Sequence, residues 1–174
     1  MKNRAIAPTG KESLFGEDEL LVTKTDLKGR ITYANDVFLR VSRFTAEEVI
    51  GAPHSIIRHP KMPRCVFKLL WDTILAGNEI FAYVLNLAKN GDHYWVFAHV
   101  TPTFGERKQI IGFHSNRRMP DRAQVSRIEE LYGRLCAEER SFASSSEGMN
   151  RASRILAAAC RERGLEYDEF VFSL

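Results

Sequence analysis

Two apolar stretches, 80–88 and 93–103, flank Lys89-Asn90-Gly91-Asp92, and the way each alternates constrains the fold more than any other part of the chain. A strand points successive side chains to opposite faces. In the first stretch Ile80, Ala82, Val84 and Asn86 form one set and Phe81, Tyr83, Leu85 and Leu87 the other; in the second, Tyr94, Val96, Ala98 and Val100 alternate with His93, Trp95, Phe97 and His99. The residues between are turn formers, so the pair reads as an antiparallel hairpin. Both of its faces are apolar. A solvated back would carry polar residues, so the hairpin needs cover on both sides. The face bearing Phe81, Tyr83, Leu85, Trp95 and Phe97 is then either a partner surface, a homodimer included, or is covered by the amphipathic segment 125–135. Asn86 is an amide in an otherwise apolar set, and a buried amide must find partners.

The rest of the chain supplies the other layers. Residues 1–19 mix Pro8, Gly10, Gly16 and charges without period, the pattern of a flexible N-terminal arm. A strand at 20–25, the turn Asp26-Leu27-Lys28-Gly29 and a strand at 30–34 make a hairpin. Asn35 caps a helix through Val37, Phe38 and Val41, and Thr45-Ala46-Glu47-Glu48 starts a second, shorter one. Pro63 opens the longest helix before the hairpin, with Val66, Phe67, Leu70, Trp71 and Ile74 along one stripe and Gly77 as its stop. A further strand is expected at 109–117. Beyond Pro120 the period turns helical, with Val125, Ile128, Leu131, Tyr132 and Leu135 on one side. A break at Ser144-Ser145-Ser146 precedes a helix carrying Ala152, Ile155, Leu156 and Ala159, which Gly164 ends. This is an α+β arrangement: an antiparallel sheet with helices on one face, a core domain over 20–118, a C-terminal helical extension over 119–164, and an acidic then apolar tail over 165–174. The apolar end Phe170-Val171-Phe172 and Leu174 either folds back onto the core or serves as a recognition segment.

Charge and cysteine usage exclude several classes. A formal net charge of +3 is mild. The basic groups Lys2, Arg4 and Lys11, and Arg117-Arg118, are too sparse for a nucleic-acid surface. Cys65, Cys136 and Cys160 are widely spaced, which fits free thiols in a reducing cytoplasm. No stretch approaches the roughly 20 apolar residues of a membrane span, and the N-terminus lacks a signal-peptide core, so no membrane insertion is expected. His54, His59, His93, His99 and His114 form no i, i+4 pair of the kind that binds metal. With no nucleophile elbow, glycine-rich phosphate loop or paired catalytic carboxylates, the chain does not read as an enzyme.

Two strings carry a specific resemblance: Ile56-Ile57-Arg58-His59-Pro60-Lys61-Met62-Pro63, and Asn86-Leu87-Ala88-Lys89-Asn90-Gly91-Asp92-His93-Tyr94-Trp95-Val96. With Thr25-Asp26-Leu27, Ile31-Thr32-Tyr33-Ala34-Asn35-Asp36, Gly51-Ala52-Pro53-His54, Trp71-Asp72-Thr73 and Val100-Thr101-Pro102, they resemble the PAS domain of bacterial aerotaxis transducers over residues 20–118. The resemblance implies a five-stranded antiparallel sheet, FAD held non-covalently, and a report of redox state or oxygen to a signalling partner such as a histidine kinase or chemotaxis component. It implies Trp71 as an aromatic wall, Asn86 and Asn35 as amide partners, and Arg58 and His59 on the phosphate or ribose side. The transmembrane and methyl-accepting segments of those transducers have no counterpart in these residues. The chain departs from the pattern at Lys61, where an Asp is common, at Leu87-Ala88, where two Arg are common, and at Ile80 and Ala82. His114 stands where an apolar residue is usual, as a haem ligand or a hydrogen-bonded core residue. The departures and the apolar strand exterior leave a second expectation, a ligand-free PAS adaptor that binds a kinase or other signalling protein.

Overall fold

The hairpin that needs cover on both faces forms the outer half of the sheet. In the computed structural model, which describes residues 6–174, β3 (Ile80–Leu87) pairs antiparallel with β4 (His93–Phe104) in unbroken register from Ile80 opposite Val100 to Leu87 opposite His93. The preceding elements are β1 (Leu21–Thr25), β2 (Ile31–Ala34), α1 (Asp36–Ser42), α2 (Ala46–Val49), a 3-10 turn (His54–Ile57) and α3 (Arg64–Leu75). Those that follow are β5 (Ile110–Arg118), α4 (Arg122–Arg140), α5 (Ser145–Glu162) and α6 (Tyr167–Phe172). The sheet is five-stranded, in the order β2-β1-β5-β4-β3, with every pair antiparallel.

One face packs against the helices between β2 and β3. Phe38 and Val41 of α1, Val49 of α2, and Val66, Leu70 and Ile74 of α3 are buried there with Leu21 and Ile31 of the sheet. The other face is covered over β3 and β4 by the chain's own C-terminal helices. Trp95 lies 6.0 Å from the ring of Tyr132 on α4, whose hydroxyl donates to the Tyr83 carbonyl at 2.7 Å; Phe172 on α6 packs 4.7 Å from Phe81 and 5.7 Å from Phe97. Tyr83, Leu85, Trp95 and Phe97 are buried as a result, and Phe81 is half-buried. The face expected as a partner surface is therefore occupied within the chain. Cover stops where the apolar pattern stops: the same face carries exposed Asn116 and Arg118 on β5 and exposed Lys24 and Tyr33 on β1 and β2.

The arm expected to be flexible is irregular but packed over its described part, while residues 1–5 lie outside the described residues. Thr9 N donates to Gly91 O at 2.8 Å, Ser13 N to His93 O at 2.7 Å, and His93 N to Lys11 O at 2.8 Å. Glu12 pairs with Arg122 at the start of α4, and Phe15 is buried. Main-chain groups at the start of β4 recruit the arm, which is why composition does not reveal it.

The C-terminal extension is tied to α3 by a cap supplied from a distance. Pro63 precedes α3 and has no side-chain acceptor for the free N–H groups of the first turn. The Glu139 carboxylate of α4 takes that role, accepting from Arg64 N at 3.0 Å and Cys65 N at 2.8 Å. A carboxylate here also faces the positive end of the helix dipole. The tail is not loose either: Glu166 and Glu169 form a capping box on α6, and Phe170, Val171 and Leu174 are buried.

Candidate functional site

Between the helical face of the sheet and α3 lies a cavity of about 380 Å³. Phe67, Leu70, Trp71 and Ile74 of α3 form one wall, because their spacing puts them on one helical stripe. The sheet supplies the other from every second residue: Thr23, Asn86, Ala98, Val100, Phe113, Ser115 and Arg117. His54, Ser55 and Arg58 complete the lining together with the adjacent Lys28 and Gly29, His54 N donating to Gly29 O at 2.8 Å. Trp71 stands edge-on to Phe113 at 5.5 Å. Gly29 makes room for it: φ is +73°, and a Cβ there would come within 2.8 Å of the Trp71 ring.

Arg117 dominates the electrostatics. It is only 4% exposed, and Nη2 donates to Thr23 Oγ1 at 2.9 Å and to His54 Nε2 at 2.6 Å. The guanidinium also sits 5.8 Å from the Phe38 ring, and among the described residues no carboxylate pairs with it. Burial pulls its pKa down to about 10, so it remains a cation at neutral pH. The same burial, with the nearby guanidinium, lowers His54 to about 3, so His54 is neutral and accepts through Nε2. Among the described residues, the buried polar side-chain atoms without a hydrogen-bond partner are Asn86 Nδ2, Tyr94 OH, Ser115 Oγ and Arg117 Nη1. All four can donate, and three of them belong to residues that line the cavity.

Three of the five residues expected to hold a cofactor line this cavity: Trp71, Asn86 and Arg58. Arg58 is half-buried, donates to Met62 O at 3.2 Å and lies over the Phe67 ring at 5.2 Å. The other two lie elsewhere. Asn35 accepts from Phe38 N and Val22 N, both at 3.0 Å, and donates to Leu20 O at 2.8 Å, so its amide is committed to main chain. His59 is buried beside the cavity, where its Nδ1 accepts from Lys61 N at 3.0 Å and its ring lies 6.0 Å from His93. Burial, then the neighbouring His93 and Lys61, lower its pKa to about 4. His114 borders the cavity, but alternation along β5 sets its side chain on the opposite face with exposed Lys24 and Asn116, its Nε2 3.1 Å from Asn116 Oδ1, so it is neither a core residue nor placed as a ligand in the cavity. Sequence reasoning misses Arg117, Ser115 and His54 as cavity residues. It groups Arg117 with Arg118 as surface charge, although alternation along β5 puts Arg117 with Phe113 and Ser115 and sets Arg118 on the exposed side. Among the described residues, no group of three His, Cys, Asp or Glu is placed to hold a metal ion, and no helix is long and apolar enough to cross a membrane.

Residues 31–116 match the family model described as PAS fold, and a five-stranded antiparallel sheet with helices closing a cavity against one face agrees with it. The chain belongs to the PAS family over this region. At the level of individual relatives, it is 40% identical over 129 residues to the aerotaxis receptor of Escherichia coli strain K12, an alignment spanning 74% of this chain and 25% of that receptor. It is 24% identical over 98 residues to the nitrogen fixation regulatory protein of Klebsiella pneumoniae, spanning 56% of this chain and 20% of the relative. The chain thus matches a quarter or less of the length of these two proteins. Among solved structures, a light-oxygen-voltage domain studied with a flavin analogue superposes with a TM-score of 0.59 at 14% identity, covering 64% of this chain and 85% of that one. The dark structure of the blue-light photoreceptor Aureochrome1 LOV gives 0.54 at 19% identity, covering 70% and 84%. These two likenesses establish the fold.

Proposed function

We propose that this chain is a cytoplasmic sensory module that holds a flavin, FAD, in the cavity against α3 and reports redox state or oxygen through protein–protein contacts rather than by catalysis. The observation that carries this reading is Arg117: a buried cation on the cavity wall, bonded to neutral partners, with a free N–H and with Asn86 and Ser115 beside it as further unpartnered donors. Donors buried around an aromatic-walled space suit a planar ligand whose edge is rich in acceptors. An isoalloxazine has that character. Trp71 and Phe113 would supply aromatic contacts, Asn86, Ser115 and Arg117 would donate to the ring edge, and Arg58 and Lys28 would face the phosphates. When bound, a flavin supplies a reversible change of redox state and charge. His54 stays neutral and accepts from Arg117, so the wall keeps its positive charge. Asn86 lies on β3, whose Tyr83 carbonyl is bonded to α4, and this links the donor set to the C-terminal helices.

The relatives support the reading: one is an aerotaxis receptor, and one structural neighbour is a light-oxygen-voltage domain studied with a flavin analogue. The departures from the aerotaxis pattern do not oppose it, because Lys61, Ile80, Ala82, Leu87 and Ala88 all lie outside the cavity lining. The ligand-free adaptor reading loses one of its supports, since the chain's own helices cover the apolar strand exterior. In this reading the partner is a histidine kinase or a chemotaxis component. A visible absorption spectrum of the purified protein tests it: flavin bands are expected, whereas a haem Soret band or no chromophore after incubation with FAD would overturn it.

A further inference from the structure

We propose that Glu139 is a latch through which a phosphate-bearing ligand in the cavity loosens the hold of α4 on α3, and through which docked α4 weakens that ligand in return. This rests on the flavin reading above and names its regulation. The coupling is placed at segment 58–63, which runs from the cavity into α3. Two neighbouring carbonyls of this segment are held by different parts of the molecule. Lys61 O accepts from Cys136 Sγ of α4 at 3.2 Å, and Met62 O accepts from Arg58 Nη2 at 3.2 Å. Just beyond, the two Glu139 carboxylate oxygens accept one bond each, from Arg64 N at 3.0 Å and from Cys65 N at 2.8 Å. The position of Glu139 is itself fixed from α5. Gly148 lets α5 cross α4 there, since a Cβ would come within 2.4 Å of the Glu139 carbonyl oxygen, and the Arg64 side chain reaches Ser145 at the start of α5.

Arg58 belongs to both systems. It lines the cavity, where its guanidinium lies over the Phe67 ring at 5.2 Å, and in the flavin reading it faces the phosphates. It is also within electrostatic reach of Glu139: burial and Arg64 lower its pKa, and the Glu139 carboxylate opposes them. A phosphate drawn to Arg58 therefore acts on the latch in two ways, both of the same sign. A bidentate bond to the phosphate uses the guanidinium fork and draws Nη2 away from Met62 O, which removes a tie on the turn leading into α3. The negative charge of the phosphate also repels the Glu139 carboxylate, which competes for the same positive field of Arg58 and the α3 N-terminus. Linkage makes the effect reciprocal, so a freed α4 tightens the ligand by the factor by which the ligand loosens α4.

Hydrogen exchange read by mass spectrometry on the full chain, with FAD, with riboflavin and with neither, tests the coupling, because riboflavin carries the same ring without a phosphate. In the parent, both probes should slow exchange in β3, β4 and β5, whereas FAD alone should speed exchange in α4 by about tenfold, the equivalent of one hydrogen bond. Glu139→Ala should speed α4 exchange without ligand and tighten FAD by a similar factor, with riboflavin affinity unchanged. Glu139→Gln keeps an acceptor and loses the charge, so α4 should stay protected and respond less to FAD. FAD that protects the strands yet leaves α4 unchanged or slower overturns the latch alone, as does equal acceleration by riboflavin. Strands protected by neither probe overturn the flavin reading and the latch with it. Should Glu139→Ala fail to fold, Glu139→Gln decides, and an undiminished response of its α4 to FAD overturns the proposal.

Discussion

Replacing Arg117 by Met separates a residue kept for a ligand from one kept for the fold. Burial moves the Arg117 pKa from 12.5 to about 10. At about 1.4 kcal/mol per unit, holding this charge in the folded chain costs roughly 3 kcal/mol. The sign is the same at every pH below about 10, because the folded and unfolded chains both carry the proton there; the cost fades only as pH rises from about 10 toward 12.5. Against it stand the bonds to Thr23 and His54, which contribute about 1 kcal/mol each. Met fills a similar volume without a charge to desolvate. The flavin-free Arg117→Met protein should therefore be as stable as the parent or about 1 kcal/mol more stable, a rise in Tm of about 2–4 °C for a chain of this size. Its affinity for FAD should fall by tenfold or more, since a charged donor is lost from the cavity wall. Urea denaturation of the flavin-free proteins and fluorescence titration with FAD read the two effects. A stability loss of about 3 kcal/mol or more would show that Arg117 is a structural ion. Unchanged flavin affinity would remove it from the site.

Four further outcomes follow from the same structure. Asn86→Ala and Arg58→Ala should each weaken flavin retention by about 1–3 kcal/mol with the fold intact; equal flavin content in the purified variants and parent would exclude both residues. Truncation after Arg118 strips the cover from Tyr83, Leu85, Trp95 and Phe97 and should give aggregation or a new oligomer by light scattering, whereas a monomeric truncation of equal stability would show that the face needs no cover. Deleting residues 170–174 removes buried Phe170, Val171 and Leu174 and should cost roughly 3–5 kcal/mol in urea denaturation; unchanged stability would return the tail to a recognition role. His54 and His59 are neutral in the fold, with pKa values near 3 and 4 against 6.5 unfolded, so the unfolded chain takes up protons first and stability is lost as pH falls below about 6.5. The urea midpoint should be lower at pH 5 than at pH 7, and His54→Gln with His59→Gln should flatten that slope; a slope unchanged by both would assign the acid sensitivity to other groups.

Local patterning carried much of the fold. Asn35 as a helix cap, Asp26 to Gly29 as a turn, the α3 stripe ended at Gly77 and the two-faced hairpin are written in neighbouring residues, because each depends on a period or on one backbone preference. The hairpin pattern even required cover on the second face. What it left open was the source, since an apolar face is equally well buried by α4 and α6 or by another chain. Part of the candidate site was legible as well: alternation marked Asn86 as an amide in an apolar set, and the resemblance to the aerotaxis PAS domain pointed to Trp71 and Arg58. Arg117 was not, because a cation looks alike in sequence whether it points to water or into a cavity, and only the pairing of β5 with β1 sets it beside Thr23 and under His54. Nor could Glu139 be read as the cap of α3, 75 residues away, or Asp168 as the partner of an N–H on β3. Those bonds exist because tertiary packing brings free main-chain groups to side chains that no local pattern connects.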